Sequence, residues 1–492
     1  MKLHDLSPNA RHLAESSTAW LDSFWDEEAA LIRFPSDFSM DEVRTPEVVP
    51  PNVRHGVRET GPYVVGLLLR NGSRDHDRAM QSLRQIMQFQ FDEPGKVYHG
   101  TFYRYPQEAH PGPTPTIWKD YDPNWRQFIG INFALLLDTF ADQIDADLIR
   151  QMEHAIELAV IGETDRVKAT YTNIALMKAA LDAWAGNRFD KRDWTDRGHA
   201  LSDEIAALFQ ANNTFCEYNS PTYYGVNLSA LRAWRRSPSP LLRQRGEMME
   251  AELWRDVARF YHAGLKNLCG PFDRTYGMDM QKYAGKIGLW IWLETGEQAA
   301  PYPNIRMPFE HRHDACAGPM VALLGTDIPD DVKPHLHAFQ HTRQIERVIE
   351  HDRIASAWLG EKLMFGAERG NRTVSNQFRP ATIHWRTPDG SIGTLHLVHG
   401  SPVDAVANHE GLVITGRAFA NESHGSLEIA CPDPGSVKLA SGTLQLPGLV
   451  LALHTNLDRP SLRIGLHSFA IEYRVPASED WRITLRTMNP SS

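Results

Sequence analysis

Cysteine is scarce in this chain of 492 residues: there are four, widely spaced, and none forms a CxxC pair. That excludes a disulfide framework and a zinc–thiolate site. No apolar run approaches the ~18 residues that a membrane-spanning helix needs, so no membrane partner is expected. The N-terminus, MKLHDLSPNARHLAESS, lacks the apolar segment of a signal peptide, and a cytoplasmic location is expected. Positive charge is also short, with 51 Lys+Arg against 61 Asp+Glu and a net charge of −10. Nucleic acid is therefore excluded as the main partner. An acidic ligand would need a local cluster of arginines. Sequence repeats are absent, so the helices read below are not a TPR-like array.

What is present is an ordinary apolar fraction, enough for a large core. Residues 9–32 carry Leu13, Trp20, Leu21, Phe24 and Trp25 on a helical period. Residues 35–60 turn Pro-rich and irregular and end in HGVRETGPY, just before an apolar helix from Tyr63 to Leu69. Another helix follows with Ala79, Leu83, Ile86, Met87 and Phe91. From residue 125 the periodicity predicts helices near 125–142, 145–161, 168–186, 194–211, 222–236, 246–266 and 278–297. Such a succession with short joints fits antiparallel helix pairs arranged in a ring. After a histidine-rich segment (His335, His337, His341, His351) the period shortens to two. TIHWRTPDGSIGTLHLVHG reads as strand, Asp-Gly turn, strand, and the alternation continues nearly to the end. The expected fold is α+β and multidomain: an (α/α) toroid over 1–355, then an antiparallel β-sandwich over 365–492, with the boundary near 345–365.

Two polar stretches interrupt this frame. NNTFCEYNSPTYYGVNLSAL (212–231) packs Glu217, Tyr218, Asn219, Ser220, Tyr223, Tyr224 and Asn227 around the expected start of a helix, with Ser220 as N-cap and Pro221 at the first helical position. A helix N-terminus favours negative charge, and buried phenols need partners. Residues 92–124 form a long, aromatic loop, a kind that is commonly functional. In and beside it, Tyr103, Arg104, Trp118, Asp120, Asp122, Trp125 and Arg126 have the chemistry to hold a sugar: aromatic faces for stacking, guanidinium groups for carboxylates.

A helical ring followed by an antiparallel β-domain resembles the polysaccharide lyases of the alginate lyase and heparinase II/III type. EYNSPTYYGVNL (217–228) resembles that group's E-x-S-P-x-Y-H segment, whose tyrosine is the catalytic acid/base. TYTNIALMKAAL (170–181) resembles the helix whose asparagine holds the substrate carboxylate. The resemblance implies Tyr223 as acid/base with Tyr224 second, Asn173 on the carboxylate, and Glu217 supporting the tyrosine loop. It departs at three places: Ile174 stands where the group often has histidine, one extra residue separates Glu217 from Ser220, and Tyr224 replaces the histidine after the tyrosine. A histidine base must then come from elsewhere, such as His55 or His99, or one tyrosine must do both jobs.

The implied chemistry is β-elimination on a uronic-acid-containing oligo- or polysaccharide. Removing the C5 proton builds charge on the neighbouring carboxylate, which preplaced donors must neutralise. Asn173, Arg58 and Arg126 are the expected clamp, and Tyr218 and Asn219 complete the expected binding set. Each has a structural role open to it as well, Arg58 as an ion-pair partner of Glu59 and Asn173 as a bond to nearby backbone. The alternatives are a glycoside hydrolase using Glu217 with Asp120 or Asp122, a dehydratase or isomerase acting on a small molecule, and a non-catalytic glycan binder. No metal or other cofactor is expected. HRHDAC (311–316) and the pair His337/His341 are where zinc would bind in the opposite case, although HExxH is absent.

Overall fold

A computed structural model describes residues 1–34, 54–163, 165–301, 310–417, 422–466, 468–477 and 479–488. The Pro-rich stretch expected at 35–60 lies outside the described residues as far as 53. The chain divides into two compact units. The first comprises Met1–Gln210, Thr222–Ala251 and Lys282–Asp327; the second comprises Ala211–Pro221, Glu252–Gln281 and Ile328–Ser492.

The helices in chain order are α1 (Pro8–Asp22), α2 (Val57–Arg70), α3 (Asp75–Gln88), α4 (Trp125–Phe140), α5 (Ala146–Gly162), α6 (Thr172–Arg188), α7 (Arg192–Asn212), α8 (Tyr223–Arg236), α9 (Pro240–Phe260), α10 (Ile287–Thr295), α11 (Gly318–Leu324) and α12 (Lys333–His337). In the first unit α2 packs on α4, α4 on α6, α6 on α8 and α8 on α10; α10 then meets α1 and α11, which return to α2. The ring closes. Its inner helices are apolar on every side because neighbours surround them. Nearly all of α4 is buried, as are Ile287 to Leu293 of α10. An outer helix such as α5 buries one stripe, Leu148, Met152, Ala155, Ile156, Ala159 and Val160. Two helical expectations are corrected. The helix read to residue 32 stops at Asp22, and the β-prone residues beyond it form β1 (Trp25–Asp26) and β2 (Leu31–Phe34), joined by β3 (Arg54–Gly56). In the stretch read as 278–297, only Ile287–Thr295 is helical.

A short hairpin of β4 (Tyr261–His262) and β5 (Asn267–Leu268) belongs to the second unit. Its sheets use β6 (Arg343–Glu350), β7 (Arg353–Leu359), β8 (Leu363–Arg369), β9 (Ala381–Arg386), β10 (Ile392–His399), β11 (Val403–Asn408), β12 (Gly411–Gly416), β13 (Ser423–Ala430), β14 (Lys438–Ala440), β15 (Thr443–Leu446), β16 (Leu449–Thr455), β17 (Ser461–Ile464), β18 (Ser468–Val475) and β19 (Trp481–Thr487). Eight antiparallel strands run β17-β18-β13-β10-β9-β8-β7-β6, and six run β11-β12-β19-β16-β15-β14. One core fills the space between them, with Ile383, Leu395, Leu427 and Ile471 from the larger sheet meeting Leu412, Ile414, Leu453 and Leu485 from the smaller. The Asp-Gly turn read from the sequence joins β9 to β10, with Gly390 at φ 85°. Strand structure starts at Arg343, earlier than the alternation alone indicated.

Buried histidines give this second unit a pH dependence. His384 is fully enclosed on β9, its Nε2 donating to the Met278 carbonyl at 2.8 Å, and burial pushes its pKa down to about 4. The unfolded value is about 6.5. The folded value is the lower one, so His384 contributes stability that is fully present above about pH 6.5 and lost as pH falls toward 4. One such group accounts for on the order of 3 kcal/mol. Urea unfolding followed by sheet circular dichroism should show the midpoint falling between pH 7 and pH 4.5, with a shallower fall for His384→Gln; equal falls would contradict the assignment.

Candidate active site

Within the first unit, side chains from the first turns of successive inner helices come together. Arg58, the second residue of α2, ion-pairs with Glu59 at 2.6 Å and lies 5.0 Å from the ring centroids of both Trp125 and Phe128 in the first turn of α4. Lys286, the N-cap residue of α10, places Nζ 5.9 Å from the same Phe128 ring and 3.9 Å from Asp314 Oδ1. Phe128 thus has two cations on it, a favourable arrangement for an aromatic face. Burial lowers the Lys286 pKa, and Arg58 pushes the same way against the opposing pull of Asp314. Burial alone would raise the Asp314 carboxyl; His311 and Lys286 outweigh it and hold the group well below the usual carboxylate range.

His311 and His313 complete this corner. His311 Nδ1 is 3.2 Å from Asp314 Oδ2, His313 Nε2 is 3.9 Å from Oδ1, and the two imidazole centroids are 4.0 Å apart. Asn132 of α4 fills the other side. Gly61 leaves room for it there, since a Cβ at residue 61 would lie 2.5 Å from Asn132 Oδ1 and the amide would have to shift. Arg58, Asn132, Lys286, His313 and Asp314 line a cavity of about 50 Å³. A water needs about 10–15 Å³ on this measure, so the space admits a few waters or a small polar group.

The tyrosine helix abuts the same corner. A Cβ on Gly225 would lie 2.5 Å from the Lys286 carbonyl carbon, and Trp290 Nε1 donates to the Gly225 carbonyl at 2.9 Å. The first turn of α8 is therefore seated on the start of α10. Tyr223, the first residue of α8, is half-buried, whereas Tyr224 is fully enclosed. The helix starts two residues later than expected, with Thr222 at its N-cap. Ser220 is not the cap, because its hydroxyl donates to the Arg274 carbonyl at 2.6 Å. Asn173, the second residue of α6, is buried on a helix that packs against both α4 and α8.

Several residues expected to meet a ligand have other partners in the structure. Arg126 is 1 % exposed, and its guanidinium donates to the His99 and Val97 carbonyls at 2.9 and 2.7 Å and pairs with Glu163 at 3.3 Å. It is spent on the fold, and burial pushes its pKa down to about 10. Arg104 is buried against Glu108 and donates to the Trp118 and Lys119 carbonyls. Asp120 accepts the Thr116 N–H at 2.7 Å, Asp122 accepts the Asn124 N–H at 2.9 Å, and Tyr103 packs on Phe91 at 4.1 Å. The long loop is thus stapled by its own side chains. Trp118 gives its carbonyl to Arg104, and Arg166 lies over its ring at 6.0 Å. Trp125 does join the corner, beneath Arg58. His55 Nε2 sits 3.0 Å from Asp26 Oδ2 within the small sheet. His99 Nδ1 accepts the Glu93 N–H, and burial lowers its pKa.

The first half of the tyrosine motif lies in the second unit. Glu217 pairs with Arg274 at 2.7 Å, the Tyr218 N–H donates to Asp273 at 3.0 Å, and Asn219 Nδ2 donates to the Cys269 and Pro271 carbonyls at 2.7 and 2.8 Å. These three side chains and backbone groups hold the 269–274 segment. Lys286, Asn132 and Phe128 are the residues that sequence reasoning missed. Their signals were a lone lysine opening the all-apolar run IGLWIWL, and a lone amide inside FIGINFALLL.

The domain of unknown function DUF8769 matches residues 11–326. The chain belongs to this family. A second domain of unknown function, DUF8770, matches residues 336–472 of this DUF8769 member. No curated protein matches. Among solved structures, heparinase III is 10% identical with a TM-score of 0.44, covering 99% of this chain and 86% of its own. The heparan sulfate lyase HepC from Pedobacter heparinus is 11% identical with a TM-score of 0.33, covering 99% and 84%. The endoglucanase CelQ from Clostridium thermocellum, complexed with cellotriose, is 10% identical with a TM-score of 0.26, covering 98% and 94%.

The seating of α8 on α10 in this DUF8769 chain has a direct check. Gly225→Ala drives a methyl group into the Lys286 backbone, and overpacking of this kind costs about 1–3 kcal/mol. Gly435→Ala, whose nearest neighbour is a side-chain oxygen 3.4 Å away, serves as the control. Thermal unfolding should show a lowered midpoint for Gly225→Ala alone; an unchanged midpoint would contradict the close approach.

Proposed function

We propose that this protein is a carbohydrate-active lyase that cleaves a uronic-acid-containing oligo- or polysaccharide by β-elimination. The observation that carries the reading is the gathering of Arg58 and Lys286 at a small cavity lined from the starts of α2, α4 and α10, with α8 seated on the backbone of Lys286. Helix N-termini carry partial positive charge, so these first turns add to the two cations. A uronate carboxylate fits this floor, with Arg58 and Lys286 as donors and Asn173 as the amide that the motif resemblance supplies.

The reaction breaks the C5–H and C4–O bonds of the uronate and forms a C4=C5 double bond, while the proton passes to the departing glycosidic oxygen. Charge that develops on the carboxylate is met by donors already in place. Tyr223 opens the helix whose Gly225 meets the Lys286 backbone; in this reading it takes the proton, then returns it to the leaving oxygen. A phenol ordinarily titrates near pKa 10, and nearby positive charge favours its ionised form. The hydrolase reading is weaker, because its proposed carboxylate Glu217 is engaged with Arg274.

Elimination leaves an unsaturated uronate that absorbs in the ultraviolet. Wild-type protein screened against uronate-containing oligosaccharides should generate that absorbance. Tyr223→Phe should lower kcat by about 10²–10⁴-fold without changing the circular dichroism spectrum. New reducing ends with no absorbance, or full activity in Tyr223→Phe, would contradict the reading.

A further inference from the structure

We propose that His311, His313 and Asp314 bind a divalent transition metal of the zinc class. Among the described residues, these three form the group of histidine, cysteine and carboxylate side chains whose donor atoms all lie within 4.8 Å of one another. Ligand atoms around a tetrahedral ion with bonds of about 2.0–2.1 Å stand roughly 3.3 Å apart. His311 Nδ1 and Asp314 Oδ2 are separated by 3.2 Å, and His313 Nε2 is 3.9 Å from Oδ1 of the same carboxylate. With one donor atom from each residue the three lie within 4.8 Å of one another, so side-chain adjustments of about 1.5 Å at most bring them to that spacing.

The backbone explains why such close spacing converges. His311 adopts left-handed φ of 56°, and a 3-10 turn from Arg312 to Ala317 follows it. Non-glycine residues take that φ infrequently, histidine more readily than most. The turn brings the rings of residues 311 and 313 together at 4.0 Å instead of on opposite sides. Helical i, i+4 spacing is not needed, which is why the HRHDAC stretch carries no familiar zinc signature.

Ligand chemistry selects the ion. Two imidazoles and one carboxylate suit zinc-like ions, whereas calcium and magnesium take oxygen ligands. Three protein ligands with one position open is the pattern of a catalytic rather than a structural zinc. Here His313 and Asp314 face the cavity of about 50 Å³, which has room for a water on the ion. Lys286 Nζ, 3.9 Å from Asp314, is the cation that competes for the carboxylate. Metal binding does not depend on the lyase reading, and its test uses no turnover.

The full chain, stripped with a chelator, is titrated with Co²⁺ while the visible spectrum is recorded, and with Zn²⁺ by calorimetry. One ion per chain and the ligand-field band of a four- or five-coordinate site are expected. Asp314→Asn and His313→Gln should each weaken Zn²⁺ binding by at least about 100-fold. Lys286→Met removes the competing ammonium and should tighten it roughly tenfold. Absence of the band with stoichiometry well below one, or variants that bind Zn²⁺ like wild type, would overturn the proposal. Should a variant fail to fold, the wild-type band and stoichiometry decide the matter alone.

Discussion

Two cations share one phenylalanine in the interior of the first unit, and the geometry around it follows from making that tolerable. Arg58 and Lys286 lie where helix N-termini already contribute positive potential, so each needs compensation. Glu59 supplies it for Arg58 and Asp314 for Lys286, while the Phe128 and Trp125 rings offer their negative faces. Compensation is local and paired, and both side chains border a small cavity. An arrangement of this kind costs stability compared with an apolar filling, which is a reason to look for function there.

The ring itself was legible from periodicity, for a physical reason that also limited the reading. Outer helices such as α5 show a stripe at helical spacing because one side meets water. Inner helices such as α4 and α10 show none, since neighbours enclose them, and their extent has to be read from length and flanking residues instead. That is why α10 proved shorter than expected, and why Lys286 at its head passed unnoticed. The sandwich was legible because its strands alternate against a single core, though β6 to β8 continue the chain earlier than the clearest alternation suggested.

Charged residues in the loops were read less well. Arg104, Arg126, Asp120 and Asp122 have the composition of a ligand site, yet all four are engaged with loop or helix-end groups nearby. A long loop without regular structure must pair its own polar backbone somehow, and side chains of exactly those types do so. Composition alone does not distinguish a guanidinium that staples carbonyls from one that faces a carboxylate. The tyrosine motif misled in another way: read as one ligand-facing stretch, it has two tasks. Its first half anchors the 269–274 segment of the second unit, while Tyr223 begins a helix of the first. Asn219, at φ 48°, marks the turn between them.

The central claim is that the Arg58–Lys286 corner receives an acidic sugar by its carboxylate. A crystal structure of Tyr223→Phe with a uronate-containing oligosaccharide tests it most directly. The account predicts one uronate carboxylate within hydrogen-bond reach of Arg58 and Lys286, with its C5 turned toward position 223. A sugar bound away from that corner, its carboxylate in contact with neither cation, would contradict it.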